Sequence, residues 1–371
     1  MSPACRARYG AALLLLTLLA AWLPHAVRAA NDAPAALVLV DSPARARTLV
    51  AAHGIALVES WELRALDAVC LAIGAQPAGD LPALLARLRA SPGVIEAEPV
   101  RAHAVSGTPA RVAVKDPYYD LQMRGQRRGI APVLQRGSGL GARVAVLDTG
   151  VDLGHPDLAG QIAGSVNFVG GDPALIPAEF HGTAVVGLIV AVPGNGVGIH
   201  GLAPDAEVFA LRACWEPSQA YGLCRTDTLA KALDYAIDIR ARIINLSLAG
   251  PDDPVLTRLV ERAIELGAIV LGAVGEEPEM RFPASIPGVI AIAQRAPTAP
   301  PRLPPGPSFV SAGLQMLTTV PEGRYDFVSG PSFVTAYASG VAAVMLEQQP
   351  HLRAPDLADW LQRAHGDAAS P

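Results

Sequence analysis

The stretch Arg143-Val-Ala-Val-Leu-Asp148-Thr-Gly150 contains an apolar run, 144–147, that is followed directly by the carboxylate of Asp148. Similar apolar runs recur towards the C-terminus, and segments with a helical pattern lie between them. This alternation predicts an α/β fold with a doubly wound, mainly parallel sheet that helices cover on both faces. Functional residues of such sheets lie near the carboxyl ends of the strands. Asp148 is therefore a candidate site residue.

The other elements of this region follow from the same patterns. Thr226 and Asp227 are suited to start a helix, and Gly267 is suited to end another. A small-residue helix is predicted over 183–192, directly after His181, and a long helix from Ser332 to about residue 349. The predicted strands are 143–147, 208–213, 243–248, 269–273 and 289–293, and further helices are predicted over 254–266 and 355–364.

Three short motifs together predict one chemistry. Asp148-Thr-Gly150 is followed along the chain by His181-Gly-Thr-Ala and by Ser329-Gly-Pro-Ser332-Phe. A serine hydroxyl is a weak nucleophile, so it needs an imidazole to take its proton and a buried carboxylate to orient that imidazole. The start of a helix at Ser332 would also offer backbone N–H groups to an oxyanion. We expect Asp148, His181 and Ser332 to act as orienting carboxylate, general base and nucleophile.

The residues around these motifs extend the match. Val151-Asp-Leu-Gly-His155-Pro-Asp-Leu follows the first motif, and Ala338-Ser-Gly-Val-Ala-Ala follows the third. From about residue 116 the chain resembles the subtilisin-like serine proteases, or subtilases, which share the chain order Asp, His, Ser. The rival aspartic-protease interpretation of Asp-Thr-Gly requires a second such carboxylate, from the chain or a dimer partner, on an all-β fold. The sequence has no second Asp-Thr-Gly or Asp-Ser-Gly. His155 is the histidine near the Asp motif that competes with His181 for the role of base, and we interpret it as structural.

The resemblance also implies where a substrate would bind. One segment corresponds to the family's edge that pairs with an extended substrate backbone, and another to the opposite wall of the pocket for the residue before the scissile bond. Their small apolar side chains would suit an apolar or aromatic substrate side chain. The implied substrate-binding residues are Ser247, Leu248, Ala249, Ala273, Val274 and Gly275.

The oxyanion position departs from the family. Subtilases carry an Asn here whose side-chain amide donates to the oxyanion, whereas this chain has Glu276. Losing one such donor costs about 10²–10³ in turnover, and an ionised carboxylate would also oppose the developing charge. Three alternatives would relieve the conflict: Glu276 turns outward, it is protonated and donates, or another group such as Arg281 donates instead.

The first thirty residues have the pattern of a secretory signal peptide. Arg6 and Arg8 precede an apolar run over 11–23, and small residues follow it. That run is shorter than the ~20 residues that span a bilayer, and no later segment reads as a transmembrane anchor. We expect a secreted or periplasmic protein.

Residues 31–105 predict a small domain of their own. Strands are predicted over 35–40, 55–63, 68–73 and 93–100, with helices over 44–53 and 81–88. This βαββαβ order is that of the ferredoxin-like split βαβ unit. The segment resembles the inhibitory propeptide of many subtilases, which implies a chaperone and temporary inhibitor. Without that resemblance it would be an ordinary small α+β domain. Residues 106–115 are the predicted linker and processing region, the stretch 102–113 is expected to be exposed, and 116–371 are the predicted catalytic domain.

Cysteines and charge limit the remaining alternatives. Cys214 and Cys224 are close enough in sequence to close a small disulfide ring in an oxidising compartment; the alternative is two free buried thiols. The net charge is −5 and the sequence has no run of Lys or Arg, so no basic surface for nucleic-acid binding is predicted. No cofactor and no metal ligand are predicted for catalysis. A structural calcium stays open at 193–199, although that loop lacks the carboxylates that calcium favours.

Two functions are therefore considered. The first is a serine endopeptidase that hydrolyses peptide bonds through an acyl-enzyme, with a peptide or protein substrate and its own propeptide as partners. The second is a weakly active or inactive subtilase scaffold that binds a peptide or protein, motivated by Glu276 and by Pro331, which replaces a family Thr. The intact Asp, His and Ser favour the first, because a binding module has no physical need for them.

Overall fold

The computed structural model describes residues 34–74, 81–105, 108–110, 118–126, 133, 135–218, 221–295, 300–311 and 315–366. The predicted signal peptide falls outside these residues. None of the helices in the described part of the chain has both the length and the apolar character needed to cross a membrane. Residues 34–371 cluster as one compact unit.

The N-terminal region forms a four-stranded antiparallel sheet with two helices, in the βαββαβ order that the sequence predicts. Strand β1 is apolar and fully buried because it lies inside the sheet, between β3 and β4. The strand order β2-β3-β1-β4 is that of the split βαβ unit. The elements are β1 (Ala36–Val40), α1 (Pro43–His53), β2 (Leu57–Leu63), β3 (Ala68–Ile73), α2 (Leu81–Arg89) and β4 (Val94–Pro99).

The larger region contains a seven-stranded sheet whose neighbouring strands all run parallel. Its order is β16-β15-β14-β12-β7-β9-β8, which places β7 well inside the sheet. The predicted α/β class is confirmed. The strands are β7 (Arg143–Asp148), β8 (Ile162–Asn167), β9 (Glu207–Arg212), β12 (Ile243–Leu246), β14 (Ile269–Ala273), β15 (Ile290–Gln294) and β16 (Ser308–Ser311).

Helices cover both faces of this sheet because its strands are apolar on both sides. Side chains alternate along β7, so that Val144 and Val146 enter one core while Ala145 and Leu147 enter the other. The first core contains α4 (Phe180–Val190), α7 (Pro331–Gln348) and α8 (Ala354–Gly366). The second contains α5 (Thr226–Asp238) and α6 (Pro254–Glu265), and a short α3 (Tyr119–Gln126) precedes the sheet in the chain.

Two small sheets complete the described structure. One has the order β10-β11-β5-β13 and the other β17-β18-β6. Their strands are β5 (Ala102–Val105), β6 (Thr108–Ala110), β10 (Cys214–Ser218), β11 (Tyr221–Arg225), β13 (Leu248–Ala249), β17 (Met316–Val320) and β18 (Arg324–Ser329).

The stretch expected to be an exposed linker is partly structured, which corrects that expectation. Ala102–Val105 forms a strand between β11 and β13, and His103 within it is fully buried. Thr108–Ala110, inside the predicted linker, pairs with β18. The physical reason is that β11 and β13 each present an edge of backbone donors and acceptors, and one inserted strand satisfies both. Residues 106–107 and 111–115 lie outside the described part.

One predicted strand is divided in the structure. The expected strand over 243–248 ends at Leu246, and a two-residue strand resumes at Leu248. Ser247 interrupts it because both its hydroxyl and its carbonyl group bond to Ser332. The other predicted strands and helices of this region are present, with ends that differ by at most three residues.

Candidate active site

Asp148 ends the inner strand β7 and is 1% exposed. Its Oδ1 accepts the backbone N–H of Thr149 at 2.7 Å and lies 2.7 Å from Nδ1 of His181. Because a carboxylate only accepts hydrogen bonds, Nδ1 carries the proton of this contact. The basic nitrogen of the imidazole is then Nε2, the tautomer that a general base requires.

The first turn of α4 holds His181 against this carboxylate. The N–H of Gly182 donates to Oγ1 of Thr149 at 2.9 Å, which ties the helix to the residue after Asp148. A Cβ atom on Gly182 would lie 2.6 Å from the carbonyl oxygens of Thr149 and Gly150. The Gly of the His-Gly-Thr motif is therefore required by the close approach of the two segments.

Ser332 lies in the first turn of α7, directly after Pro331, and is fully buried. Its Oγ donates to the carbonyl oxygen of Ser247 at 2.9 Å, and the Ser247 hydroxyl donates back to the Ser332 carbonyl oxygen at 2.8 Å. The ring of Phe333 lies 5.1 Å from the ring of His181, centroid to centroid. The structure thus brings Asp148 and His181 into contact and places the serine helix beside them.

A glutamine that the sequence analysis missed holds the loop before the serine. Nε2 of Gln294 donates to Oγ of Ser329 at 2.8 Å, and the N–H of Gly330 donates to Oε1 of Gln294 at 2.6 Å. Gly330 has φ 135°, a conformation that favours glycine. Gln294 ends the apolar strand β15, just as Asp148 ends β7. A polar residue at the carboxyl end of a strand was the signal that could have found it.

The predicted substrate edge is paired with a segment of this same chain. Leu248 and Ala249 form β13, in antiparallel register with β5. On its other side β5 pairs with β11. The buried ring of His103 lies 4.9 Å from the ring of Phe282, and burial, aided by Arg101, lowers the pKa of His103 to about 3.

The predicted opposite wall faces this edge. Val274 and Gly275 line a cleft of about 380 Å³. A Cβ atom on Gly275 would lie 3.1 Å from Cβ of Ala249, so the two predicted walls meet. Ala273, the last residue of β14, is buried behind them.

Glu276 also lines this cleft, and it is exposed to solvent. Arg281, considered above as a substitute donor, instead pairs with Asp252 at 3.4 Å. The exposure of Glu276 favours the alternative in which this carboxylate turns outward.

A second, largely buried group that the sequence analysis missed contacts the start of α4. Glu179 and Arg212 form a two-bond ion pair, with Nε to Oε2 at 3.0 Å and Nη2 to Oε1 at 2.9 Å. The carboxylate of Glu216 accepts the N–H groups of Phe180 and His181. Burial raises the pKa of Glu216, and these two hydrogen bonds oppose that shift.

The hairpin that carries Glu216 is closed by the predicted disulfide. Cys214 and Cys224 are bonded, with their Cα atoms 4.1 Å apart, and lie opposite each other in β10 and β11. This prediction is confirmed. Cys70 is a buried free thiol.

The loop considered for calcium, residues 193–199, is joined to the carboxylate of Asp157. Oδ1 of Asp157 accepts the side-chain N–H of Asn195 at 2.6 Å, and its Oδ2 accepts the N–H of Ile199 at 2.8 Å. Both oxygens of this buried carboxylate thus accept hydrogen bonds from the loop. No group of three or more His, Cys, Asp or Glu in the described part of the chain is arranged to hold a metal. His155, interpreted as structural, bonds through its two ring nitrogens to the backbone of Asp157 and Arg324.

Sequence comparison identifies known proteins that are similar to this chain. A model of the subtilase family matches residues 139–371. The chain is 31% identical over 283 residues to the thermophilic serine proteinase of Bacillus sp. (strain AK1), covering 73% of this chain and 67% of that protein. It is 31% identical over 246 residues to thermitase of Thermoactinomyces vulgaris, covering 63% of this chain and 85% of that protein.

A solved structure is similar in fold over most of the chain. Fervidolysin from Fervidobacterium pennivorans, described as a keratinolytic enzyme related to subtilisin, superposes with a TM-score of 0.69. The match covers 88% of this chain but only 57% of the fervidolysin chain, at 22% identity. At that identity the likeness bears on the fold alone.

Proposed function

Because this chain belongs to the subtilase family and is a serine-type endopeptidase, we propose that Asp148, His181 and Ser332 form its catalytic triad. The observation that carries the assignment is the 2.7 Å contact between Oδ1 of Asp148 and Nδ1 of His181, both buried at the carboxyl end of the sheet. The position of Ser332 in the first turn of the neighbouring helix α7 supports its role as nucleophile.

The proposed reaction has two halves. The Ser332 hydroxyl first turns from the carbonyl oxygen of Ser247 towards Nε2 of His181, which takes its proton as Oγ bonds to the substrate carbonyl carbon. The imidazolium then gives that proton to the leaving amine, and the peptide bond breaks to leave an acyl-enzyme. A water molecule, deprotonated by the same imidazole, releases the acid and restores the serine. Asp148 keeps the imidazole in the required tautomer and stabilises its charged form.

The oxyanion would be stabilised mainly by the N-terminus of α7. The backbone N–H of Ser332 lies in its first turn, where the helix dipole is positive and favours an anion. Glu276 supplies no amide, and its exposure supports a carboxylate that stays in solvent rather than one that opposes the reaction. We expect slower turnover than in a subtilase that carries the Asn.

The N-terminal region is proposed to be an inhibitory propeptide. Its support is β5, which occupies the edge where an extended substrate would pair, between β11 and β13. Residues 1–30 would be a signal peptide, 31–105 the propeptide, 106–115 the processing region and 116–371 the catalytic domain. The mature enzyme would act on peptides or proteins outside the cytoplasm.

Mass spectrometry of the purified protein beside its Ser332→Ala variant tests this function. We expect the wild-type chain to be cut between about residues 102 and 116, and the variant to stay uncut. A serine-directed fluorophosphonate should label wild type at Ser332 and leave the variant unlabelled. If folded wild type is neither cut nor labelled, the second function, an inactive scaffold that binds peptide, becomes the better account of Glu276 and Pro331.

A further inference from the structure

The carboxylate of Glu216 reaches the start of α4 from the β10–β11 hairpin. Its Oε2 accepts the N–H of Phe180 at 2.8 Å, and its Oε1 accepts the N–H of His181 at 2.6 Å. The first N–H groups of a helix have no partner within the helix, and the dipole there favours an anion. One of these two bonds is made to the backbone of the proposed general base itself.

Glu216 caps the N-terminus of α4, a role that the residue directly before a helix normally has. Glu179 is the N-cap residue of α4, but its side chain makes no capping hydrogen bond. That carboxylate is bound by Arg212 instead, and it accepts the N–H of Glu216 at 3.1 Å. The arrangement leaves Glu216 as the capping carboxylate of the helix.

The charges around Glu216 are unevenly compensated. Arg212 pairs with Glu179, whereas among the described residues no Arg or Lys pairs with Asp148 or Glu216, which both contact His181. Asp148 raises the pKa of Glu216 and His181 lowers it, both less than burial raises it. A positive imidazolium at His181 therefore interacts favourably with Glu216 as well as with Asp148.

The hairpin that carries Glu216 is cross-linked by a disulfide bond. The Cys214–Cys224 bond joins β10 to β11 two residues before Glu216. Strand β11 is also an edge that pairs with β5, the chain segment at the predicted substrate edge. The element that contacts an extended chain is thus the element that holds the His181 turn.

We propose that Glu216 is a positioning residue for His181, which holds the first turn of α4 against Asp148 and stabilises the imidazolium that forms during catalysis. This inference rests on the proposed triad. It predicts that removing the Glu216 charge changes proton transfer at His181 and not substrate binding.

The test is the pH dependence of peptide hydrolysis by the matured Glu216→Gln variant. The amide keeps the size of the side chain but loses its charge and one acceptor oxygen. We expect kcat to fall about tenfold with KM changed less than twofold. The acidic limb of kcat/KM should move to lower pH by about half a unit or more, because a nearby negative charge favours the protonated imidazole. Glu216→Asp, which keeps the charge but shortens the reach, should lower kcat and leave the acidic limb near its wild-type position.

Glu207→Gln is the matched control. Glu207 is an exposed carboxylate at the opposite end of β9 from Arg212, so its charge loss should change neither kcat nor the acidic limb. A folded Glu216→Gln enzyme with the wild-type pH profile would overturn the inference. If that variant does not mature, a Glu216→Asp enzyme with unchanged kcat would overturn it. Absence of fluorophosphonate labelling in wild type would instead reject the triad, so the two failures are distinguishable.

Discussion

At the scale of single residues, Glu276 is the departure with the clearest chemical consequence. Replacing it by Asn would place an amide donor where the family carries one. We expect Glu276→Asn to raise kcat by about tenfold to a hundredfold, since one such donor is worth about 10²–10³. KM should change little, because the added hydrogen bond forms only in the transition state.

The neighbouring Glu277 provides a control for this prediction. It is exposed and lines the same cleft, so Glu277→Asn removes an identical charge from the same loop. Steady-state kinetics on one peptide substrate would compare the two variants. Equal gains in both would show that charge alone matters, and no gain in either would mean that the remodelled loop does not point this side chain at the oxyanion.

Gln294 permits a second prediction at this scale. Its amide bridges Ser329 and Gly330, so Gln294→Leu removes both bonds of the loop before the nucleophile. A displacement of about 1 Å in a catalytic group can cost ~10² in rate. We expect fluorophosphonate labelling of Ser332 to slow by about tenfold or more in Gln294→Leu. Gln294→Glu, which keeps the acceptor for Gly330, should slow it less.

The control for Gln294 is Gln362→Leu, since Gln362 is an exposed glutamine whose contact is with the backbone of Val310. Its labelling rate should match that of wild type. Unchanged labelling in a well-folded Gln294→Leu variant would show that the glutamine bridge has no part in placing the serine.

At the scale of elements, the binding of strand β5 between β11 and β13 should depend on pH. The pKa of about 3 for the buried His103 lies below its ordinary value of 6.5, so the bound strand favours the neutral ring. Above pH 6.5 the ring is neutral both bound and released, and binding is unaffected. As pH falls from 6.5 towards 3, His103 becomes protonated in the released strand but stays neutral in the bound strand. Each unit in that window then costs about 1.4 kcal/mol, or tenfold in affinity.

We therefore expect the cleaved N-terminal part to stay bound at pH 8 and to dissociate more readily at pH 5. Size-exclusion chromatography after self-cleavage would measure the bound fraction. In His103→Phe, a ring of similar size that does not titrate, this pH dependence should largely vanish. Retention of the full pH dependence in that variant would place its origin in other groups.

At the scale of the whole molecule, the N-terminal region is also tied to the larger region by ion pairs. Arg64 pairs with Asp238 at 2.7 Å, Lys231 with Glu59 at 2.6 Å and Arg258 with Glu96 at 2.8 Å. At least one partner of each pair is well exposed, so each pair is worth about 0–1 kcal/mol and is screened by salt.

Raising the salt concentration should therefore weaken binding of the cleaved N-terminal part only several-fold. Most of the binding free energy would come from β5, whose backbone hydrogen bonds to β11 and β13 are not removed by salt. Inhibition constants measured at about 0.05 and 0.5 M NaCl would test this, over a range in which the Debye length falls from above 10 Å to a few Å. A loss of inhibition by several orders of magnitude would mean that the ion pairs, and not β5, carry the binding.

Local patterns in the sequence were sufficient for much of this molecule. Apolar runs, helix starts and turn residues depend on neighbours within one or two turns, so they predicted the α/β class, the βαββαβ order and most element ends to within three residues. The three motifs also led us to propose Asp148, His181 and Ser332 as the triad, because each motif consists of a few adjacent residues. The disulfide followed from a separation of ten residues.

Only the tertiary structure decided which distant groups support that site. Glu216 lies 35 residues from His181, and Gln294 lies 36 from Gly330, and no local pattern marks either as a partner. Strand β5 was expected to be exposed, since its composition is that of a linker, but two strand edges from far along the chain satisfy its backbone. Such contacts depend on where the sheet brings remote segments together, and that is a property of the packed chain rather than of any stretch within it.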